Sequence, residues 1–497
     1  MSLTSSGART TARTAPPWFA ALGRVAGPLF QLALVAALGV VLGQQYVTPA
    51  PRVIPVLIAI VVAGIAWRLN PVTAVGLLVL AVPYPRGTVF GTTNQALVLI
   101  LAIIWLVRIS THLSPPPRST PLDIPAAALL TIYTVSFYNV YPTDMGYAVG
   151  DYLTVISAII LYYLIVSTVR SEADLQRLHR FQLASALTIF LLAIFELKYP
   201  GKTLFNWIRL DASSYVNAEI NLHDTRVGSA FMDFELLSEY CAITLVMVLF
   251  LFVRARSNTQ RSLLGAFGVL NLFVMFATVT RGAFISFAVG AVYLLWVARR
   301  RMRIVPVTIG AAVVAGMFGF MNFFVSTFTR SGDTFARLAG TKVVGWMPDD
   351  RAEVWTIAFQ RALLHPFIGE GPHYAHVPGF KFWWPHNVYL YYANILGFTG
   401  LAIFLWLLAQ IWRSTRPQTD TLYDPSYVRA YSLVARVQLI IFMVNEFKID
   451  YLRNPIYQTV VWVMFAAWVA QHQVLREQRL PAGAVFSAGA RAPARAS

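Results

Sequence analysis

Apolar residues come in long blocks along almost the whole chain, and short polar connections separate them. A helix needs about 17–25 such residues to cross a hydrocarbon core. Blocks near 25–43, 53–67, 71–84, 95–111, 122–141, 147–169, 178–197, 234–253, 262–279, 283–298, 304–321, 387–411, 427–446 and 455–471 predict an all-α polytopic membrane protein. The pattern gives about fourteen spans, within a range of 12–14, because 53–67 and 71–84 are short and meet at the turn-like Arg68-Leu69-Asn70-Pro71. The bundle occupies 25–471, between a basic tail at 1–24 and a small-residue, disordered tail at 472–497. No small-residue cleavage site precedes a soluble domain, so the first segment reads as an uncleaved tail and helix.

The connections alternate in charge. Arg108 and Arg118, then Arg170, Arg177 and Arg180, then Arg254, Arg256 and Arg261, then Arg299 to Arg303, then Arg413, Arg416 and Arg429 fall on one side, and Arg476 and Arg479 follow. The positive-inside rule makes that side cytoplasmic and places both termini there. Two outer connections stand out by length, about 198–233 and about 322–386. Long polar loops on one face of a bundle are where function concentrates. In the second, Asp349-Asp350 can cap an amphipathic helix carrying Arg351 and Trp355 one turn apart.

Composition agrees with the pattern. The 497 residues are 57% hydrophobic and 12% charged, with mean hydropathy +0.60. A net charge of +17 would suit nucleic acid, but the basic residues form topology clusters rather than a binding face. The single Cys241 cannot form an intrachain disulfide. Neither a solenoid-type repeat nor a matched pair of Gly/Pro-broken spans, the pointer to a secondary transporter, is visible.

Against this background a few polar residues are candidates for chemistry. His386, in Pro385-His386-Asn387, stands where an apolar helix begins. A neutral imidazole there can take a proton from a hydroxyl, and the helix dipole keeps it neutral; a plain capping residue is the other reading. Arg281 breaks the charge trend by lying on the outer side between two spans, either as a functional charge or as a snorkelling helix end. Arg351 and Arg226 are also outward, and several guanidiniums on one face suit a diphosphate. His373 and His376 with Glu370 do not have the spacing of a familiar zinc site, so no metal is expected. Gly369-Glu370-Gly371-Pro372 reads as a tight turn. Tyr374, Phe380, Phe382, Trp383 and Trp384 are either a sugar platform or an interfacial aromatic belt. Asp233, Glu235 and Glu239 begin a span as a weak acid cluster.

The order of these motifs resembles the O-antigen ligase and O-antigen polymerase superfamily. Arg281, Arg351-x-x-x-Trp355, Gly369-x-Gly371-Pro372, His386-Asn387-x-x-Leu390 and Gly397-x-x-Gly400-Leu401 carry the likeness across 264–411, with Arg226-x-Gly228-x-x-Phe231 upstream. The resemblance implies a C-type glycosyltransferase-like bundle in the bacterial inner membrane, with a large periplasmic loop at 322–386. It implies inverting, metal-independent transfer of a glycan from undecaprenyl diphosphate to a sugar hydroxyl, without a cofactor. By position His386 would be the base and Arg281 and Arg351 would hold the donor diphosphate. Arg226, Trp355 and Asn387 would assist binding. Ala393-Asn394-Ile395-Leu396 replaces an acidic residue common in relatives, which removes an acid partner for the histidine at that place. The expected product is an exopolysaccharide or O-antigen polymer. Ligation to lipid A core or protein is the alternative, and a lipid-linked glycan flippase is the alternative of another class. Expected partners are the lipid-linked donor, a glycan or lipid-core acceptor, membrane lipids and chain-length regulators or other polysaccharide-assembly proteins, with no nucleic acid.

Overall fold

A computed structural model describes residues 53–84, 87–88, 91–199, 226–299, 304–329, 333–340, 343–344, 347–348, 351–374 and 384–479. The first apolar block, the Asp349-Asp350 cap, His376, Phe380, Phe382, Trp383, the tail at 1–24 and residues 480–497 lie outside the described residues, whereas 472–479, expected in the disordered tail, continue the last helix. Helix α1, Val53–Arg68, belongs to a unit of its own that ends at Arg68.

The second unit is helical apart from two pairings of two-residue strands, Gly87–Thr88 with Gly91–Thr92 and Val343–Val344 with Met347–Pro348. Its helices follow the apolar blocks: α2 Pro71–Ala81, α3 Thr93–Ser110, α4 Asp123–Ser136, α5 Met145–Thr168, α6 Glu172–Lys198 and α7 Phe234–Arg254. There follow α8 Asn258–Ala277, α9 Arg281–Ala298, α10 Ile304–Phe328, α11 Thr334–Ala339, α12 Arg351–Ala362, α13 Val388–Ser414, α14 Tyr427–Asn445 and α15 Pro455–Arg479. Among the described residues, eight helices are long and apolar enough to cross a membrane, which supports the class and leaves the number fourteen as an expectation. Helix α10 runs past residue 322, so the polar connection starts later than the sequence suggests. Asn322 on that helix turns back to accept the amide of Thr334 at 3.0 Å, which starts α11.

Helix α15 is the hub. Tyr457, Trp462, Phe465 and Trp468 are fully buried on it, and it packs along α5. It also buries glutamines, whose amides need partners away from water. Gln473 on it donates to the Ser119 carbonyl at 3.0 Å, and Gln438 on α14 joins the helices by accepting from Trp468 Nε1 at 3.0 Å and donating to the Ile243 carbonyl at 3.1 Å.

The basic connections gather at one end of this bundle and tie it together there. Arg118 pairs with Glu477 at 2.6 Å, Arg170 donates to the Pro116 carbonyl, and Arg254 donates to the Asp424 and Pro425 carbonyls. The starts of α7, α9, α13 and α15 and the ends of α6, α8 and α14 form the opposite end.

Helix α13 is broken at Gly397, with φ +69° and ψ −179°. The break leaves carbonyls without helical partners. The amides of Glu370 and Gly371 take those of Asn394 and Ile395 at 2.8 and 3.0 Å, and Phe398 N–H reaches the Pro366 carbonyl at 2.7 Å. A Cβ on Gly369 would lie 2.2 Å from the Ile395 carbonyl carbon, and one on Gly397 would lie 2.5 Å from that of Phe367. The two glycine motifs therefore interlock backbone to backbone. Beneath them Glu370 receives both Arg361 Nε and Nη2, at 3.0 and 2.6 Å, in a fully buried pair. The turn is a structural clamp on a broken span.

Candidate functional site

At the end opposite the basic connections, a small pocket of about 60 Å³ is lined by Arg226, Arg281, Arg351, Lys448, Glu235 and Asn445, among others. Three arginines far apart in sequence thus share one cavity. Each arrives by a different local device. Arg281 is the first residue of α9, after Val279 at φ +49°, and Thr280 Oγ1 ties that turn to the Phe234 carbonyl at 3.4 Å. Gly282 lets α9 press against α14, since a Cβ there would sit 2.9 Å from Asn445 Oδ1. Arg226 lies with its guanidinium 3.4 Å from the centre of the Phe234 ring. Glu196, at the end of α6, holds the following turn by accepting from Ser229 N at 2.7 Å. Arg351 opens α12.

Behind the pocket lies a network of charges. Arg351 gives Nη2 to Glu235 Oε1 at 2.9 Å and Nη1 to the Lys448 carbonyl. Arg453 gives Nη2 to Asp233 Oδ2 at 2.6 Å and to Glu235 Oε2 at 3.0 Å. Its Nη1 lies 2.8 Å from His386 Nδ1, and Glu235 Oε2 is 3.6 Å from the same nitrogen. Glu235 therefore links the pocket arginine to the histidine.

A guanidinium has no acceptor, so Nδ1 of His386 accepts from Arg453 and the ring proton sits on Nε2. Partial burial is the main cause that pulls the imidazole down, to about 4; Arg453 and Arg351 add to it, and Glu235 opposes them. The ring is neutral at neutral pH for reasons stronger than the helix dipole inferred from sequence. Arg453 itself is held charged by Asp233, Glu235 and Asp450 against the cost of its burial. Burial pushes the Asp450 carboxyl up to about 7 even beside Arg453.

Backbone strain collects here. Of the five non-glycine residues with positive φ among the described residues, Ser229, Met232, Val279 and His386 adjoin this cluster. Such conformations persist only where the surroundings enforce them. His386, at φ +46°, is enforced from both sides. Trp355 Nε1 donates to the Pro385 carbonyl at 2.9 Å. Asn387 caps α13 by accepting from Leu390 N at 3.0 Å and donates to the Phe447 carbonyl at 3.3 Å. Trp355 and Asn387 thus face protein groups that fix the turn, and neither lines the pocket.

His373 stands apart, 2.8 Å from Asp151 and stacked on Tyr147. Tyr374, Trp384 and Tyr391 form a stack of their own in which Tyr374 and Tyr391 are buried, so those two rings offer no open platform.

The residues that sequence reasoning missed are Arg453 and Lys448, and Glu235 was underrated. A usable signal existed. The connection Glu446-Phe447-Lys448-Ile449-Asp450-Tyr451-Leu452-Arg453-Asn454 carries two cations on the side where cations are scarce, the same anomaly that singles out Arg281.

The fold and the site define a helical membrane protein with a cation-lined pocket beside a neutral histidine. Residues 266–405 match the family model described as O-Antigen ligase, which supports membership of the O-antigen ligase and polymerase superfamily and indicates a membrane glycosyltransferase of that type. No curated protein matches the chain. The matched stretch includes Arg281, Arg351, Trp355, His386 and the interlocked glycines, while Arg226, Glu235, Lys448 and Arg453 lie outside it.

Proposed function

We propose that this protein transfers an oligosaccharide from undecaprenyl diphosphate to a sugar hydroxyl at the periplasmic face of the bacterial inner membrane. The observation that carries the reading is the convergence of Arg226, Arg281, Arg351 and Lys448 on one pocket whose Glu235 lies 3.6 Å from His386. Fixed cations of this kind stabilise a diphosphate leaving group without a metal. The acceptor oxygen attacks the anomeric carbon as the bond from that carbon to the diphosphate oxygen breaks, and the hydroxyl proton passes to His386.

The resting tautomer bears on the order of events. An incoming diphosphate competes with Glu235 for the Arg351 fork. As Arg453 turns away, the ring can lose its Nε2 proton to water and gain one at Nδ1, where Glu235 accepts the new N–H in a hydrogen bond, which leaves the Nε2 lone pair for the acceptor. Donor binding prepares the base.

The expected product is a polymer, with ligation to a lipid core or protein as the alternative outcome. The test uses purified protein with lipid-linked repeat units. A ladder of products supports polymerisation, and one-step capping of an added acceptor supports ligation. Replacing His386 by Ala should abolish transfer while donor binding persists. Full transfer by His386→Ala would reject the mechanism.

A further inference from the structure

A second cavity, of about 720 Å³, opens at the end of the bundle that carries the basic connections. It lies between the start of α6, the end of α7, the start of α8 and the 423–427 segment, a bundle length away from His386. Nothing in the proposed glycosyl transfer uses it.

Its lining is divided chemically. Arg180, Arg254 and Arg256 make one part cationic, and Leu251, Leu263 and Leu264 make another part apolar. Two carboxylates also line it, and both have engagements. Asp424 receives Arg429 at 3.0 Å, and Glu172 accepts from Gln176 at 3.4 Å. Arg254 is held by the neutral carbonyls of Asp424 and Pro425, which orient its charge without cancelling it. Arg180 and Arg256 are exposed, and neither forms an ion pair with a carboxylate among the described residues. Leu263 is 67% exposed and Tyr423 is 75% exposed, an apolar and aromatic rim of the kind that meets lipid at an interface.

One buried group in the lining lacks a partner. His179 is 1% exposed, and its Nδ1 meets the Tyr427 hydroxyl at 2.7 Å. Its Nε2 has no hydrogen-bond partner. With Tyr427 donating to Nδ1, Nε2 carries the proton and is a donor awaiting an acceptor.

We propose that this cavity binds the phosphate headgroup of an anionic phospholipid, with Arg180, Arg254, Arg256 and His179 supplying donors and Leu251, Leu263 and Leu264 meeting its chains. Basic pockets between membrane helices on the positive side suit that chemistry. A soluble phosphate would use the cations alone and leave the leucines without a role.

The test uses the full-length protein in neutral detergent, after delipidation. Phosphatidylglycerol, phosphatidylcholine and inorganic phosphate are compared by thermal shift and by native mass spectrometry. Phosphatidylglycerol should be retained and raise the melting temperature, while the other two should not. The exposed pair Arg180→Gln and Arg256→Gln should weaken phosphatidylglycerol binding by about tenfold or more. Leu263→Gln should weaken it without changing the charge. Equal retention in the double variant would overturn the proposal, as would an equal shift from inorganic phosphate, which would mark a soluble-anion site. An equal shift from phosphatidylcholine would mark a non-specific lipid surface and would overturn it too. Glycan transfer by these variants reports on the first site separately.

Discussion

Arg453 donates to Nδ1 of His386 at 2.8 Å and at the same time holds Asp233 and Glu235. One guanidinium therefore sets the tautomer of the candidate base and adds to the burial that lowers its basicity. The sign of the resulting pH dependence follows. A neutral ring acts as base and a protonated ring cannot, so activity is lost as pH falls through the folded value, about 4. The limb set by this ring should lie near pH 4, below that of an ordinary histidine near 6.5, while Asp450, a charge partner of Arg453, titrates separately near pH 7. Arg453→Gln removes a charge that lowers the histidine value, so its acid limb should move toward higher pH. A pH–rate profile on protein that still elutes as a single folded species checks this, and an unmoved limb would remove Arg453 from the role.

Glu235 bridges Arg351 and Arg453 and lies nearest the imidazole among the carboxylates. Glu235→Gln keeps the shape but cannot stabilise a proton on Nδ1. The expectation is a fall in kcat of about 100-fold, the lower end for loss of acid–base assistance. Donor KM should hold or fall, because Arg351 no longer has a carboxylate competitor. A rise in donor KM with unchanged kcat would instead make Glu235 a purely structural anchor for Arg351.

Arg281 lines the pocket from the first turn of a helix, where a fork can reach two phosphate oxygens. Lysine keeps the charge and loses the fork. Arg281→Lys should therefore lower kcat/KM for the lipid-linked donor by about tenfold to 100-fold, on the scale of one charge-assisted hydrogen bond lost. Direct donor binding read alongside turnover distinguishes loss of ground-state binding from loss in the transition state. Near-native turnover would show that charge alone suffices.

The helices were legible because hydrocarbon imposes a length and a composition on each one, and block boundaries such as 234–253 fall within a residue of the helix Phe234–Arg254. The pocket arginines were legible for a related reason: a cation on the cation-poor side needs a local cause. Arg453 obeyed the same logic yet sat among Glu446, Asp450 and Asn454, where neighbouring acids made the segment look like an ordinary polar turn. The tautomer of His386 was not legible at all. It depends on a nitrogen-to-nitrogen contact across 67 residues of sequence, which no local pattern encodes. The same holds for Gly369, which reads as part of a tight turn, and Gly397, which reads as part of the span 387–411, whereas their meeting makes one clamp.

That clamp gives a stability prediction. Gly397 occupies φ +69° and ψ −179°, a region that a side chain adopts only at a cost of about 1–3 kcal/mol. Space is also denied, because the new Cβ would fall 2.5 Å from the Phe367 carbonyl carbon. Backbone cannot move away as a flexible side chain would, and the hydrogen bonds of Glu370, Gly371 and Phe398 depend on this alignment. Gly397→Ala should therefore lower the melting temperature sharply or prevent recovery of folded protein. Gly150→Ala provides the control: it lies within a helix, nothing sits within 4 Å of its added Cβ, and alanine is the better helix former. Thermal unfolding of both variants in the same detergent compares them directly. A Gly397→Ala protein as stable as Gly150→Ala would mean that the break in α13 can be remade as continuous helix. In that case the turn at Gly369 would be dispensable for placing α12 and, through Trp355, His386.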